Sequence, residues 1–346
     1  MTAARAHRIV VPRRGGPDVL QWVAMDMPEP GPGDVRVRVE AAGVSAYDVM
    51  LRGHWFPGLP PMPYTPGEDF VGIVDKVGAR VSGFAVGQRV GGWTFGDAGG
   101  YAEYLCRPAA DLVAVPDALD PVTACALIVN YLTASLALHQ ASKVCEGERL
   151  LVQGAGGGLG SALLQLGRDA GLQTFGGDAT SKQAQIRADG AAPIDYQSEF
   201  VVARTRALTG GGADVVIDLV GGARQLLRSW RSLRPGGRLL MLGMAGTLES
   251  GTWIILPSLM LLGIFSVWPG GRRIAKGPGM EDYPRANPDW YRNTLSELFR
   301  KALAGQLQPH IAHKLPLRDA AEAHAMLERG AVAGKIMLIT GDRAAA

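Results

Sequence analysis

The run Leu150-Leu151-Val152-Gln153-Gly154-Ala155-Gly156-Gly157-Gly158-Leu159-Gly160 places an apolar strand, a glycine-packed turn and the start of an apolar helical pattern in direct succession. A turn of this kind can hold a pyrophosphate. Without side chains its backbone N–H groups come close to the anion, and the positive end of the helix points at it. Asp178 follows near the roughly 20-residue spacing at which an acidic side chain meets a ribose hydroxyl. Metal chemistry finds less support. Cys106, Cys125 and Cys145 are widely spaced with no C-x-x-C pair, and His310 and His313 have no cysteine or carboxylate partner nearby, so they read as surface or packing residues.

The elements that must position the turn show in the hydrophobic pattern. Strands are expected at 149–153, 172–176, 214–219 and 238–243, separated by helical stretches, which predicts a doubly wound parallel sheet over 125–268. Before about residue 120 the chain is rich in Val, Gly and Pro, with short alternations such as Val35-Arg36-Val37-Arg38-Val39. That pattern predicts an irregular antiparallel β domain. Residues 269–289 read as a loop, 288–304 as a helix, and 320–327 with 335–340 as a helix followed by a strand. The uncharged segment Thr252 to Trp268 is interrupted by Pro257 and Gly263 and is expected to be a buried or interfacial strand instead of a membrane span.

Composition sets the outer limits. The 346 residues, 47% hydrophobic, suffice for two domains with sizeable cores, and a net charge of +3 gives no nucleic-acid footprint. The local excess of base from Arg272 to Arg292 reads as a solvated loop. Three cysteines cannot build a disulfide framework, so a reducing compartment and a cytoplasmic protein are expected. The N-terminal segment lacks the apolar stretch of a secretory signal.

Several separate stretches, in order, carry a resemblance to a known family: Gly43-Val44-Ser45-Ala46-Tyr47-Asp48 with Leu51-Arg52-Gly53; Pro63-Tyr64-Thr65-Pro66-Gly67-Glu68; Val86-Gly87-Gln88-Arg89-Val90; and Gly99-Gly100-Tyr101-Ala102-Glu103-Tyr104. Leu132-Thr133-Ala134, the spacing of Gly154, Gly157 and Gly160, Asp214 to Gly222 and Gly236-Gly237-Arg238 continue it. The chain resembles the zinc-independent quinone oxidoreductase and enoyl reductase branch of the medium-chain dehydrogenase/reductase superfamily, and its opening segment is similar to VAT-1-like members. The resemblance implies an α/β protein with a GroES-like β catalytic domain from residues 1–124 and 290–346. It also implies a Rossmann NAD(P)-binding domain from 125–268, with 269–289 as a loop or lid. A homodimer through the late Rossmann strands, with Val267 near the subunit boundary, is implied as well.

The same resemblance assigns residues. Zinc-dependent relatives carry a Cys and a His where this chain has Ser45 and Glu68, and a four-cysteine structural cluster is missing, so no zinc is expected. Many relatives carry Asn at the position of Ser45, and several carry Tyr at that of Met50. Ser45, Tyr47 and Tyr64 are therefore the candidate catalytic hydroxyls, although an aromatic ring here can equally be a pocket wall. Asp48 reads as ordering its loop. The cofactor set is Thr133, Gly154, Gly157, Gly158, Leu159, Gly160, Asp178, Lys182, Tyr196 and Gly243, with a helix cap as the other reading of Thr133. Lys182 and Tyr196 match contacts to a 2′-phosphate and favour NADPH, whereas Asp178 would suit NADH. The implied activity is metal-free hydride transfer from NADPH to a quinone or to the C=C bond of an α,β-unsaturated carbonyl, both small-molecule substrates. The alternative is a cofactor-binding but non-catalytic protein that docks to a membrane surface or a partner through 271–292.

Overall fold

The structure, a computed structural model, describes residues 6–53, 60–243, 246, 252–330 and 332–341. The chain divides into two units, one of residues 1–132 with 281–346 and one of residues 133–280.

The first unit opens with the antiparallel pair β1 (Ala6–Val10) and β2 (Gln21–Met25), followed by β3 (Asp34–Val44), α1 (Ala46–Gly53), β4 (Asp69–Val77), β5 (Arg89–Trp93), β6 (Tyr104–Pro108), β7 (Leu112–Ala114) and α2 (Pro121–Ser135). The Val-Arg alternation of β3 works as the pleat requires. Val35, Val37 and Val39 are buried against Phe70, Val74, Val90, Leu105 and Leu112, while Arg38 is exposed. Among the described residues, the apolar stretch Pro121–Ala141 is long enough to cross a membrane. However, 78% of its most apolar window is buried inside the protein, as in a core helix.

The second unit contains β8 (Arg149–Gln153), α3 (Gly158–Asp169), β9 (Gln173–Asp178), α4 (Gln183–Ala188), β10 (Ala192–Asp195), α5 (Val201–Thr209), β11 (Ala213–Asp218), α6 (Ala223–Ser232), β12 (Leu233–Met241), α7 (Ile255–Ser266) and β13 (Arg273–Ile274). The strands pair in the order β10-β9-β8-β11-β12-β13 and all are parallel. This is the Rossmann order, and it reverses between β8 and β11. Leu150, Leu151 and Val152 of β8 and Val215, Val216 and Ile217 of β11 are fully buried, as central parallel strands must be.

Residues 252–268 depart from the strand expected for them. They hold α7, whose Leu256, Leu259, Met260 and Ile264 face solvent, while Phe265 stacks on Trp230 with ring centroids 4.4 Å apart. Pro257 lies in the first turn, where a missing N–H costs no intrahelical bond. A run that is apolar on every side carries no period to separate helix from strand. The sixth strand comes later, at Arg273–Ile274, inside the stretch read as a loop.

The chain then returns to the first unit with α8 (Asp282–Ala286), α9 (Pro288–Leu303), β14 (Ile311–Pro316), α10 (Ala320–Glu328) and β15 (Lys335–Ile339). β15 lies antiparallel to β3 and completes the order β14-β15-β3-β4-β5-β7, with β6 also on β3. The Lys335 ammonium pairs with Asp69 at the start of β4, and both side chains are buried. Lys335→Met leaves the Asp69 carboxylate buried without its counter-charge and is expected to cost about 3–5 kcal/mol. The drop in the chemical denaturation midpoint measures it, and pairing the change with Asp69→Leu should recover most of the loss.

Candidate functional site

Two groups of side chains, one in each unit, can do chemistry. In residues 133–280 the turn between β8 and α3 stands at the carboxyl ends of the strands where their order reverses. Gly154 has φ +81°, a left-handed value that glycine takes without strain. Gly157 is the N-cap of α3, so the N–H groups of Gly158, Leu159 and Gly160 in the first turn have no intrahelical acceptor. A Cβ on Gly160 would lie 2.5 Å from the carbonyl oxygens of both Gly154 and Ala155. The helix N-terminus therefore rests directly on the turn.

Asp178, the last residue of β9, braces this turn. Its Oδ2 accepts the Gly156 N–H at 2.8 Å and its Oδ1 the Ala179 N–H at 2.8 Å. Lys182 Nζ stands 3.7 Å from Asp178 Oδ1, and the Lys182 stem lies so close to Gly156 that a Cβ there would come within 2.6 Å of it. The Tyr196 N–H donates to the Asp178 carbonyl at 3.3 Å, and the Gly243 N–H to that of Asp218 at 3.2 Å. Thr133 is nearly buried in the last turn of α2, a helix that begins at Pro121. It cannot cap the start of that helix, which removes the capping alternative.

In the other unit, Ser45 and Asp48 form a reciprocal box at the start of α1. The Asp48 N–H donates to Ser45 Oγ at 3.1 Å, while Asp48 Oδ2 accepts from Ser45 N at 2.9 Å and from Ser45 Oγ at 2.7 Å. Asp48 Oδ1 accepts the Gly67 N–H at 2.9 Å, and Tyr101, hydrogen-bonded in turn to His324, donates to Oδ2 at 3.4 Å. Both hydrogen-bonding functions of the Ser45 hydroxyl are thus spent locally, and Asp48 orders its loop. Burial pushes Asp48 up to about 6 even though these donors favour its charged form. Burial and the nearby Arg52 push His324 down to about 3.

Glu68 is also buried. Its Oε2 accepts from Trp93 Nε1 at 3.3 Å, Thr94 Oγ1 at 3.1 Å and Gly96 N at 3.0 Å, and among the described residues its Oε1 has no partner. Burial, then Asp48 and Glu281, push it up to about 8. Tyr47 is hydrogen-bonded to Glu281, and burial with the Glu281, Glu68 and Asp48 carboxyls raises it above the ordinary phenol range. The Tyr64 hydroxyl is buried, has no partner among the described residues and is raised chiefly by burial. Tyr47, Tyr64, Asp48, Glu68 and Glu281 thus form one acidic cluster. The Ser-x-x-Asp pattern was open to a capping reading from the sequence, whereas nothing local marked Glu281.

Two family models match the chain, a zinc-binding dehydrogenase over residues 188–338 and an alcohol dehydrogenase GroES-like domain over residues 31–117. The chain is 28% identical to the human synaptic vesicle membrane protein VAT-1 homolog over 326 residues, 91% of this chain and 81% of that protein. It is 30% identical to human quinone oxidoreductase over 335 residues, 94% of this chain and 95% of the other. The chain belongs to the quinone oxidoreductase family. This family member is an oxidoreductase of GroES-like and Rossmann architecture. It is 31% identical to a 2-haloacrylate reductase of Burkholderia over 341 residues, 95% and 98% of the two chains. Its fold matches that of Escherichia coli quinone oxidoreductase complexed with NADPH at a TM-score of 0.84 and 26% identity, over 96% of this chain and 100% of that one.

Glu68 gives this family member a pH-dependent stability. Its folded value lies above the unfolded one of 4.5, so its contribution is full below about pH 4.5 and is lost as the pH rises through about 8. Glu68→Gln is neutral at every pH. The thermal midpoint of that variant should therefore fall less than that of the wild type between these two limits.

Proposed function

We propose that the protein is a metal-free, NADPH-dependent reductase that delivers hydride to a quinone or to the C=C bond of an α,β-unsaturated carbonyl. The observation that carries this reading is the β8–α3 turn. Glycine 160 leaves no room for a side chain, the first-turn N–H groups lack intrahelical acceptors, and the turn stands at the reversal of the sheet. These features fit a pyrophosphate. Bound there, NADPH would supply the hydride.

Preference for NADPH is supported by Lys182, shortly after β9, and Tyr196, just after β10, which would hold the 2′-phosphate, and by the relative solved with NADPH. The Asp178 charge does not oppose it. Two backbone N–H groups and the Lys182 ammonium surround that carboxylate, which reads as a brace of the turn instead of a ribose contact. The donor set supports a metal-free site: Ser45 is spent in its cap and Glu68 stands in place of an imidazole, so the thiolate and imidazole of a zinc centre have no equivalents. Tyr47 and Tyr64 are the hydroxyls that would meet a substrate oxygen, with Ser45 capping the start of α1, the helix that carries Tyr47.

The exposed apolar residues of α7 support a homodimer, and the three free cysteines suit the cytoplasm. That α7 face is also the feature that favours the alternative of a non-catalytic docking protein.

The test follows NADPH consumption with a panel of simple quinones and enones. Turnover is expected, with deuterium from labelled cofactor found on the β carbon of an enone product, whereas tight NADPH binding without turnover of any acceptor would favour the docking protein. Gly160→Ala forces the turn backbone to shift and should weaken NADPH by about 1–3 kcal/mol, roughly 5- to 150-fold in Kd, read by cofactor fluorescence.

A further inference from the structure

Within the unit of residues 133–280, α7 presents a surface that cofactor binding leaves unexplained. Trp253 just ahead of the helix, Leu256, Leu259, Met260 and Ile264 along it and Trp268 just after it are exposed, Trp253 by 88%. Steps of three or four residues put them on one side of the helix. Apolar residues scattered singly on a surface need no explanation, but a contiguous group of this size does. The other side of α7 is anchored. Phe265 stacks on Trp230 of α6, and Leu261 and Leu262 pack on the same core. With 12 residues, α7 is short of the about 20 that cross a bilayer.

The charges beside α7 are of one sign. From Leu219 to Met280 the sequence holds a single acid, Glu249, which lies outside the described residues. Arg234 and Arg238 of β12 pair with Asp214 and Glu148. Arg224, Arg228 and Arg231, by contrast, form an exposed stripe on α6, and neither they nor Arg272 and Arg273 have an ion pair among the described residues. Arg272 stands 5.9 Å from the centre of the Trp230 ring, the ring on which Phe265 stacks. Burial and the nearby Arg206 lower it, as cations crowded together without an anion must.

We propose that this unit docks on an anionic bilayer, with α7 lying in the interface and the arginines of α6 and of residues 272–273 meeting lipid phosphates. Tryptophans at both ends of α7 suit the headgroup level, and guanidinium groups match phosphate oxygens in pairs. A second copy, the other occupant that this apolar side supports, would cover the leucines but press its own arginines against these and bring no described acid from the same stretch. An anionic bilayer satisfies the apolar side and the charge together. Docking of this kind does not depend on turnover and so goes beyond the reductase reading.

The experiment is co-sedimentation of the full chain with vesicles of phosphatidylcholine alone or mixed with phosphatidylglycerol. Binding to the mixed vesicles is expected, weaker by about 10-fold or more on phosphatidylcholine alone, and falling as salt is raised. Leu256→Glu with Met260→Glu, and separately Arg224→Glu with Arg228→Glu, change exposed side chains only. Each pair should weaken binding by about 10-fold or more while leaving the thermal midpoint and NADPH affinity unchanged. The proposal is overturned by wild type that stays in the supernatant, by equal binding to both vesicle types, or by either pair binding as wild type does. Wild type that ignores vesicles and sediments as a dimer, with the α7 pair a monomer, identifies a second copy as the occupant and also overturns it. If the α7 pair does not fold, the arginine pair and the salt series decide. Quinone and enone turnover without vesicles, measured on the same preparation, tests the reductase reading separately.

Discussion

The buried pair of Lys335 and Asp69 is the contact on which the acidic cluster depends. It joins the last strand of the chain to the start of β4, and it lies directly on Gly43 near the end of β3, where the pair leaves no space for a Cβ. Ser45 follows Gly43 by two residues, and Glu68 precedes Asp69 by one. Three strand ends drawn from distant parts of the chain are thereby locked at the point from which the cap of α1 and the buried glutamate project. An ion pair out of water adds little net stability over an apolar contact, but it tolerates no half-made version. The value of this pair lies in fixing where the neighbouring backbone runs.

From that frame the two units develop opposite chemistries. The turn of residues 154–160 gathers donors, since its backbone N–H groups and the Lys182 ammonium all suit an anion. The cluster around Asp48 and Glu68 gathers buried acids, and burial raises both above the usual carboxylate range. The same side-chain type therefore does different work in each. Asp178, ringed by two N–H groups and near an ammonium, serves as an anionic brace. Glu68 has donors on one oxygen only and acids as neighbours, so its charge is disfavoured.

The parallel sheet was legible because a strand, a glycine turn and a helix follow one another within a dozen residues, and the Val-Arg alternation of β3 was legible because burial on one face imposes a period of two. The fate of 252–268 was not. A stretch apolar on all sides is equally consistent with a buried strand and an exposed helix, and the choice fell to the stacking of Phe265 on Trp230 and to the hydrogen bond from the Gly222 N–H to Ser258 Oγ. The structural role of Asp178, which accepts the Gly156 N–H across the turn, was likewise hidden in the sequence.

The sequence alone determined the glycine turn, the parallel sheet it belongs to and the family, because each rests on residues close together in the chain. Tertiary structure alone decided which acids are raised above the usual carboxylate range. Desolvation and like-charge repulsion depend on what is packed nearby, and the neighbours of Glu68 range from Asp48 to Glu281, brought together only by the fold.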